Sequence, residues 1–405
     1  ATTIADPGRL PRVAVDATRG EAVVSVLEGA YGTVAVVGRG EELRIKLDNW
    51  YTVGGPGSIA NDRRQADLPL WIAGAARSVF FLGIGSGITA GAAVAHPVER
   101  IVVAELIPEV VSAARRHFTS HTDGLFEDPR VDVVHADGRN GLLAPDVEFV
   151  VVVADLFTLW QVGTVSLYTI ELYHTVRARL RPGGVFAQWL PLYQLSRREF
   201  SIIARTMLAV FPEVTLWRGE FLPQAPIVAL VGRSNRAPLD VVAMLNALRQ
   251  LPRMREVPED VGLAMMMLFY VGNLGEVPRL VDDVPLNTDD LPVIEYEAPR
   301  TQRAVASGTA QWFIGAEFLE FVDRLAAALP PEMDPVLAVG DERIPRFVRA
   351  GADLGRAVAL AEAGELAAAR AAFDAFSDGV PLPLYRMFRR HFEQRWPRLF
   401  EPGPS

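Results

Sequence analysis

The sequence predicts an α/β protein built on a parallel sheet, with a small β unit before the sheet and a helical region after it. Three observations carry that expectation. Between residues 78 and 189, short apolar runs rich in β-branched residues alternate with helical patterns. That is the rhythm of strand–helix–strand crossovers with both sheet faces covered. Before residue 54, glycines punctuate three β-rich runs, and after residue 235 the chain turns mainly helical.

Taken in order, residues 1–20 contain Pro7, Gly8 and Pro11 and read as an extended arm. Residues 23–27, 33–37 and 43–47 read as short antiparallel strands, set apart by Gly29, Gly32, Gly38 and Gly40. Residues 54–58 form a loop. Strands are then expected over 78–82, 100–104, 131–135, 149–154 and 185–189. Helices are expected over 88–95, 108–118 and 166–181, the last stopped by Pro182-Gly183-Gly184. A helix over 200–211 and strands over 214–217 and 227–231 complete the sheet. Helices follow over 238–250 and 259–270, then a proline-bounded extended segment over 285–298. The tail carries helices over 310–328, 343–350, 354–364, 366–376 and 382–394. Within it, residues 355–376 read as a helical hairpin, either one tetratricopeptide-type unit or a plain helical cap. The expected domains are 1–75, 76–300 and 301–405.

Composition narrows the function. Half of the 405 residues are hydrophobic and 22% are charged, so the chain is globular rather than disordered. The net charge of −9 argues against a nucleic-acid partner, which calls for a basic face. The absence of cysteine excludes disulfides, thiolate metal sites and cysteine nucleophiles. Six scattered histidines suggest no metal site. Of the 40 basic residues, 39 are arginine and one is Lys46. No run of 18 uncharged apolar residues and no basic-then-apolar leader occurs. The expectation is therefore a cytoplasmic protein without membrane attachment.

The sharpest motif is Gly83-Ile84-Gly85-Ser86-Gly87, where the strand over 78–82 meets the helix that follows. Glycines there allow a sharp turn and close approach of a ligand. The next strand ends in Glu105, an acid placed to accept the two hydroxyls of a ribose. The third is followed by Asp137-Gly138, where a carboxylate can accept from an adenine amine. Ligand groups at three successive strand ends point to a Rossmann-like adenosyl site, and the Asp-Gly favours an adenosyl sulfonium over NAD.

Further residues extend the pattern: Asp128-Pro129-Arg130-Val131, Asp155, Leu167-Tyr168-Thr169-Ile170-Glu171, Leu180-Arg181-Pro182-Gly183-Gly184, Gln188-Trp189-Leu190-Pro191-Leu192-Tyr193 and Asn287-Thr288-Asp289-Asp290. With them, residues 28 to 300 resemble the spermidine synthase (polyamine aminopropyltransferase) family, in particular its fused-type bacterial branch. The resemblance implies a class I methyltransferase-like fold with a small N-terminal β unit. It implies S-adenosylmethionine (SAM) or decarboxylated SAM as donor, and a homodimer as a candidate assembly. Cofactor-binding positions are Gly83, Gly85, Ser86, Gly87, Glu105, Asp137, Gly138 and Asp155.

Three departures bear on the reaction. The family's acid inside the glycine loop, which binds the donor's amine, aligns with Ser86. The second acid of its Asp-x-x-Asp, the base for the attacking amine, aligns with Thr158 in Asp155-Leu156-Phe157-Thr158. Its Tyr-His-Glu segment is replaced by Asn61-Asp62-Arg63-Arg64-Gln65, whose arginines would repel a polycation. These changes favour SAM-dependent alkyl transfer, with methyl as the leading case, to a small-molecule, non-polyamine acceptor, with further ring closure left open. An aminopropyltransferase using decarboxylated SAM and a non-catalytic adenosyl-binding protein are the alternatives. Catalytic candidates are Asp155, Tyr168 and Tyr193. Acceptor-side candidates are Trp160, Gln188, Trp189 and Tyr193, with plain core packing as the competing role for the aromatics. His135 and Glu171 read as packing and helix-end residues.

Overall fold

The computed structural model describes residues 13–49, 51–52, 54–143, 148–160, 163–329, 331–334 and 336–401. The chain divides into two compact units. The first comprises Ala1–Asp155 and Arg179–Phe186, and the second Leu156–Ala178 and Ala187–Ser405. These differ from the three segments expected from composition.

In the first unit, β1 (Ala22–Gly29), β2 (Gly32–Arg39), β3 (Glu42–Leu47) and β4 (Tyr51–Thr52) form an antiparallel meander in that order. Of the extended arm expected over 1–20, residues 1–12 lie outside the described residues, and Ala17–Arg19 form a 3-10 turn capped by Asp16. Helix α1 (Ile59–Ala73) follows, where the sequence offered no helical signal. Its first half is polar, and it buries residues as different as Asn61, Gln65, Asp67 and Trp71, so no apolar stripe marks it.

The crossovers then run β5 (Ser78–Leu82), α2 (Ile88–Ala92), β6 (Arg100–Glu105), α3 (Pro108–His117), β7 (Val131–His135), α4 (Gly138–Leu142) and β8 (Phe149–Ala154). β5 pairs in parallel with β6 and β8, and β6 with β7. Every residue of β5 is buried, as a central parallel strand requires, whereas β7 at the edge is half-exposed. The eight-stranded sheet runs β12-β10-β11-β9-β8-β5-β6-β7, with β9 spanning Leu180–Pro191. Its first residues belong to the first unit and its last to the second.

The second unit contains α5 (Ile170–Arg179, but for its last residue), the end of β9, α6 (Arg197–Leu208), β10 (Glu213–Arg218) and β11 (Ile227–Arg233). α7 (Val241–Gln250), α8 (Glu259–Met267) and β12 (Tyr270–Asn273) follow. Then come the helices α9 (Val293–Ala306), α10 (Gly315–Ala328), α11 (Arg343–Glu362), α12 (Leu366–Gly379) and α13 (Leu382–Arg395). Several expectations change here. The helix over 166–181 is a 3-10 turn (Thr164–Tyr168) followed by α5, and the chain is already a strand at Leu180. Residues 259–270 break after Met267, because Tyr270–Asn273 find a partner in β10 that no local pattern announces. The extended segment over 285–298 yields to α9, since Pro292 sits at the helix start, where a missing N–H costs little. The two helices expected over 343–364 are one, α11, with Gly351 and Gly355 inside it. Gly351 faces the Leu268 carbonyl, which a Cβ would approach to 2.1 Å, so the glycine serves a close approach rather than a break.

Candidate functional site

The site is built at the carboxyl ends of the first unit's parallel strands. Leu82 pairs with Ala104 on one side and with Ala154 on the other. Gly83, Glu105 and Asp155 therefore follow three residues that stand side by side, and open α/β sheets bind ligands along that edge. Gly83, Gly85 and Gly87 all have positive φ (87°, 54° and 83°), a turn that side-chain-bearing residues adopt at a cost. The Gly83 N–H donates to the Ala104 carbonyl at 2.8 Å, locking the turn to β6. In α2, a Cβ on Gly91 would lie 2.3 Å from the Thr122 carbonyl, so the helix packs tightly against the segment that follows Thr119–His121.

Glu105 is buried at the end of β6. Its Oε2 accepts from the Ile84 N–H at 2.9 Å and its Oε1 from the Ile107 N–H at 2.8 Å. The carboxylate that the sequence assigns to the ribose thus also shapes the glycine loop. Burial raises its pKa above the usual carboxylate value, with the loop N–H groups acting against that rise. The Leu106 and Gly85 N–H groups also face this carboxylate. Asp137 caps α4: its Oδ1 accepts from the Arg139 N–H at 2.8 Å and the Asn140 N–H at 3.4 Å. Gly138 lies against Leu82, whose side chain a Cβ would meet at 3.2 Å. His135 is exposed and its Nε2–H donates to the Leu106 carbonyl at 2.9 Å. Asp155 is half-buried just past β8.

Arg130 explains the Asp128-Pro129-Arg130-Val131 motif. Its guanidinium grips Asp128 at 2.9 and 2.7 Å and donates to the carbonyls of Val94, His96 and Val98. The motif ties the end of the segment after α2 to the start of β7 and is structural. The reading of Asn61-Asp62-Arg63-Arg64-Gln65 as a cation-repelling segment also changes. Arg63 is paired with Asp123 at 2.7 Å. Asp62 is buried, accepts from the Ser58 hydroxyl at 3.0 Å, and stands beside the glycine loop. A Cβ on Gly54 would lie 3.3 Å from Ser86 Oγ and 3.7 Å from Asp62 Oδ2, so both side chains face one point. Sequence reasoning passed over Asp62 because α1 carried no helical signal.

The remaining candidates lie in the second unit. Trp160 stacks on Trp312, with ring centroids 6.1 Å apart and planes 24° from parallel. Tyr168 is fully buried and meets Phe157 edge-on at 6.5 Å. Gln188 and Trp189 are fully buried in β9, and Tyr193 is half-buried in the turn Leu192–Gln194. Among the described residues, neither amide atom of Gln188 has a hydrogen-bond partner, nor has the buried Thr158 hydroxyl. Such orphans call for a ligand or a water. Glu171 accepts from the Asp289 N–H at 2.9 Å, so it holds the 287–290 loop. Asn287, fully buried, is the knot of that loop, bonding to Tyr168, Thr206 and Ile294. Among the described residues no group of three His, Asp or Glu side chains is arranged to hold a metal.

A glycine turn and carboxylates at neighbouring parallel strand ends are features of a Rossmann-like fold. Residues 62–223 match the spermine/spermidine synthase domain. The "Polyamine aminopropyltransferase 2" of Pseudomonas aeruginosa is 34% identical over 145 residues, 35% of this chain and 42% of that protein. The polyamine aminopropyltransferase of Aeropyrum pernix is 33% identical over 153 residues, 37% of this chain and 48% of that protein. The matched segments thus span less than half of either relative. The crystal structure of spermidine synthase from Thermotoga maritima aligns with a TM-score of 0.50 at 20% identity, covering 60% of this chain and 83% of that one, and shows the shared fold. Over residues 62–223 the chain thus resembles the spermidine synthase family.

This overturns the expectation of methyl transfer to a non-polyamine acceptor. The family match includes residues 61–65 from Asp62 onward, Ser86 and Thr158, the positions on which that expectation rested. The relatives it joins are named as aminopropyltransferases. Physically, a substitution in the loop does not empty the surroundings of charge when a neighbouring helix brings a carboxylate to the same point.

Proposed function

We propose that the chain is an aminopropyltransferase that uses decarboxylated SAM as donor and an aliphatic amine of the polyamine class as acceptor. The observation that carries this reading is the row Gly83, Glu105, Asp137 and Asp155 at adjacent strand ends, all inside the matched residues 62–223. Glu105 would hold the ribose and the glycine turn would receive the sulfonium side of the donor. Asp137, with Oδ1 engaged in capping, would turn its other oxygen to the adenine amine.

The chemistry is a displacement at carbon. The lone pair of a neutral acceptor amine forms a new N–C bond to the aminopropyl carbon attached to sulfur. The C–S bond breaks, its electron pair returns to sulfur, and methylthioadenosine leaves as a neutral thioether. The acceptor nitrogen then loses one proton. Asp155 is our candidate to orient the amine and take that proton, because Thr158 has no basic group to offer. The donor is already activated, so positioning and exclusion of water supply most of the acceleration.

The test incubates the protein with decarboxylated SAM and a series of diamines and longer polyamines. Methylthioadenosine and an aminopropylated amine are expected in equal amounts. S-adenosylhomocysteine formed from SAM, with no product from the decarboxylated donor, would refute the proposal. Asp155→Asn is expected to lower turnover about 10²–10⁴-fold, the usual contribution of a general base. Methylthioadenosine binding should stay nearly unchanged.

A further inference from the structure

We infer that Asp62 is the donor-specificity residue of this chain, the carboxylate that receives the ammonium of the aminopropyl arm and disfavours a donor that carries a carboxylate there. The inference rests on the proposed aminopropyl transfer and deepens it. A decarboxylated donor differs from SAM at one place: the arm ends in an ammonium alone, where SAM carries an ammonium and a carboxylate. A site that chooses between them needs a negative charge beside that arm. The glycine loop does not supply one, since its fourth position is the neutral, buried Ser86.

Helix α1 supplies it. Asp62 lies in its first turn, and the Ser58 hydroxyl donates to Asp62 Oδ2 at 3.0 Å, which orients the carboxylate from outside the loop. Gly54 faces both Asp62 Oδ2 and Ser86 Oγ, at 3.7 and 3.3 Å from where its Cβ would stand. With φ at +119° and no side chain, Gly54 sets only backbone against the two groups. A ribose resting on Glu105 sets the sulfonium at the loop, because Glu105 Oε2 is bonded to the loop's own Ile84 N–H. An arm running on past Gly85 then meets Ser86 and Asp62 together. Asp62 also sits at the edge of burial, 9% exposed, where a charge pair is screened far less than on the open surface. Carboxylate opposite ammonium attracts, and carboxylate opposite carboxylate repels, so one residue both selects and excludes.

Calorimetric affinities for decarboxylated SAM, SAM and methylthioadenosine, measured on the wild type and on variants, test this. Methylthioadenosine lacks the arm and reports the adenosyl cradle alone. In the wild type the decarboxylated donor should bind at least tenfold tighter than SAM. Asp62→Asn should remove most of that preference while methylthioadenosine affinity stays within about twofold. Asp62→Glu should keep the preference, and Asp62→Asn combined with Ser86→Asp should restore it. A wild type that binds both donors alike sinks the aminopropyl reading and this inference with it. A wild type that prefers the decarboxylated donor, with the preference intact in Asp62→Asn, overturns the inference alone. Equal loss in Asp62→Asn and Asp62→Glu, or parallel loss of methylthioadenosine binding, also overturns it, since Asp62 would then serve the fold.

Discussion

Glu105 carries two demands on one carboxylate. It accepts from the Ile84 and Ile107 N–H groups, and it is the expected contact of the ligand's ribose. Replacing it with alanine should weaken methylthioadenosine binding by about 1–3 kcal/mol, the scale of a hydrogen bond to a charged group. The pH dependence follows from the raised pKa, caused first by burial. The carboxylate accepts hydroxyls when ionised, so affinity is full above the raised value and falls as pH falls through it, earlier than for an ordinary glutamate. Burial has the opposite sign for the ligand-free fold, whose share of stability from Glu105 is present below the ordinary pKa and lost as pH rises through the raised one. Acid loss of affinity, while the Glu105 contribution to the ligand-free thermal midpoint grows rather than falls, is the expected pair of results; affinity flat down to pH 4.5 would contradict it. The identity of Glu105 was legible because a strand-terminal acid after a glycine turn is a local pattern. Asp62 was not legible, because its partner Ser86 is 24 residues away and only packing places them together.

At the level of elements, β10 and β11 pair Glu213 with Arg233 across the strands, with side chains 2.7 Å apart and nearly buried. Burial pushes the Glu213 carboxyl up more than Arg233 draws it down. Removing one partner leaves a buried charge unpaired, so Arg233→Met should cost about 3–5 kcal/mol in denaturant unfolding. Arg233→Met with Glu213→Leu should recover most of that loss; a double variant as weak as the single would show that the pair itself stabilises. Helices with an apolar stripe and a cap were readable: Ser196 and Glu199 form a capping box at the start of α6. α1 and β12 were not readable, since burial on several faces erases the stripe of the first and pairing with distant β10 creates the second.

For the chain as a whole, the decisive point is where the helical tail belongs. Composition separates 301–405 from the rest, but the second unit includes it. Phe313 packs on Phe200 at 5.2 Å, and Arg197 lies over Phe321 at 4.2 Å. Phe388 in α13 meets Phe221 edge-on at 6.1 Å, and α11 lies against the Leu268 carbonyl through Gly351. A chain ending at residue 300 is therefore expected to lose cooperative unfolding of the second unit and to aggregate. A sharp thermal transition in a soluble truncated protein would show instead that the tail is an appendage. Gly351→Ala tests the same interface more gently, with about 1–3 kcal/mol of destabilisation expected from overpacking. Among the described residues no helix is long and apolar enough to cross a membrane.

By itself the sequence determined the parallel sheet, the glycine turn and the strand-end acids, because apolar runs, left-handed glycines and residues that follow a strand are properties of neighbouring positions. The tertiary structure alone decided that Arg130 is a brace, that Arg63 is paired with Asp123, and that Asp62 and Ser86 both stand beside Gly54. Those facts depend on which distant segments meet, and a charge acts through space rather than along the chain.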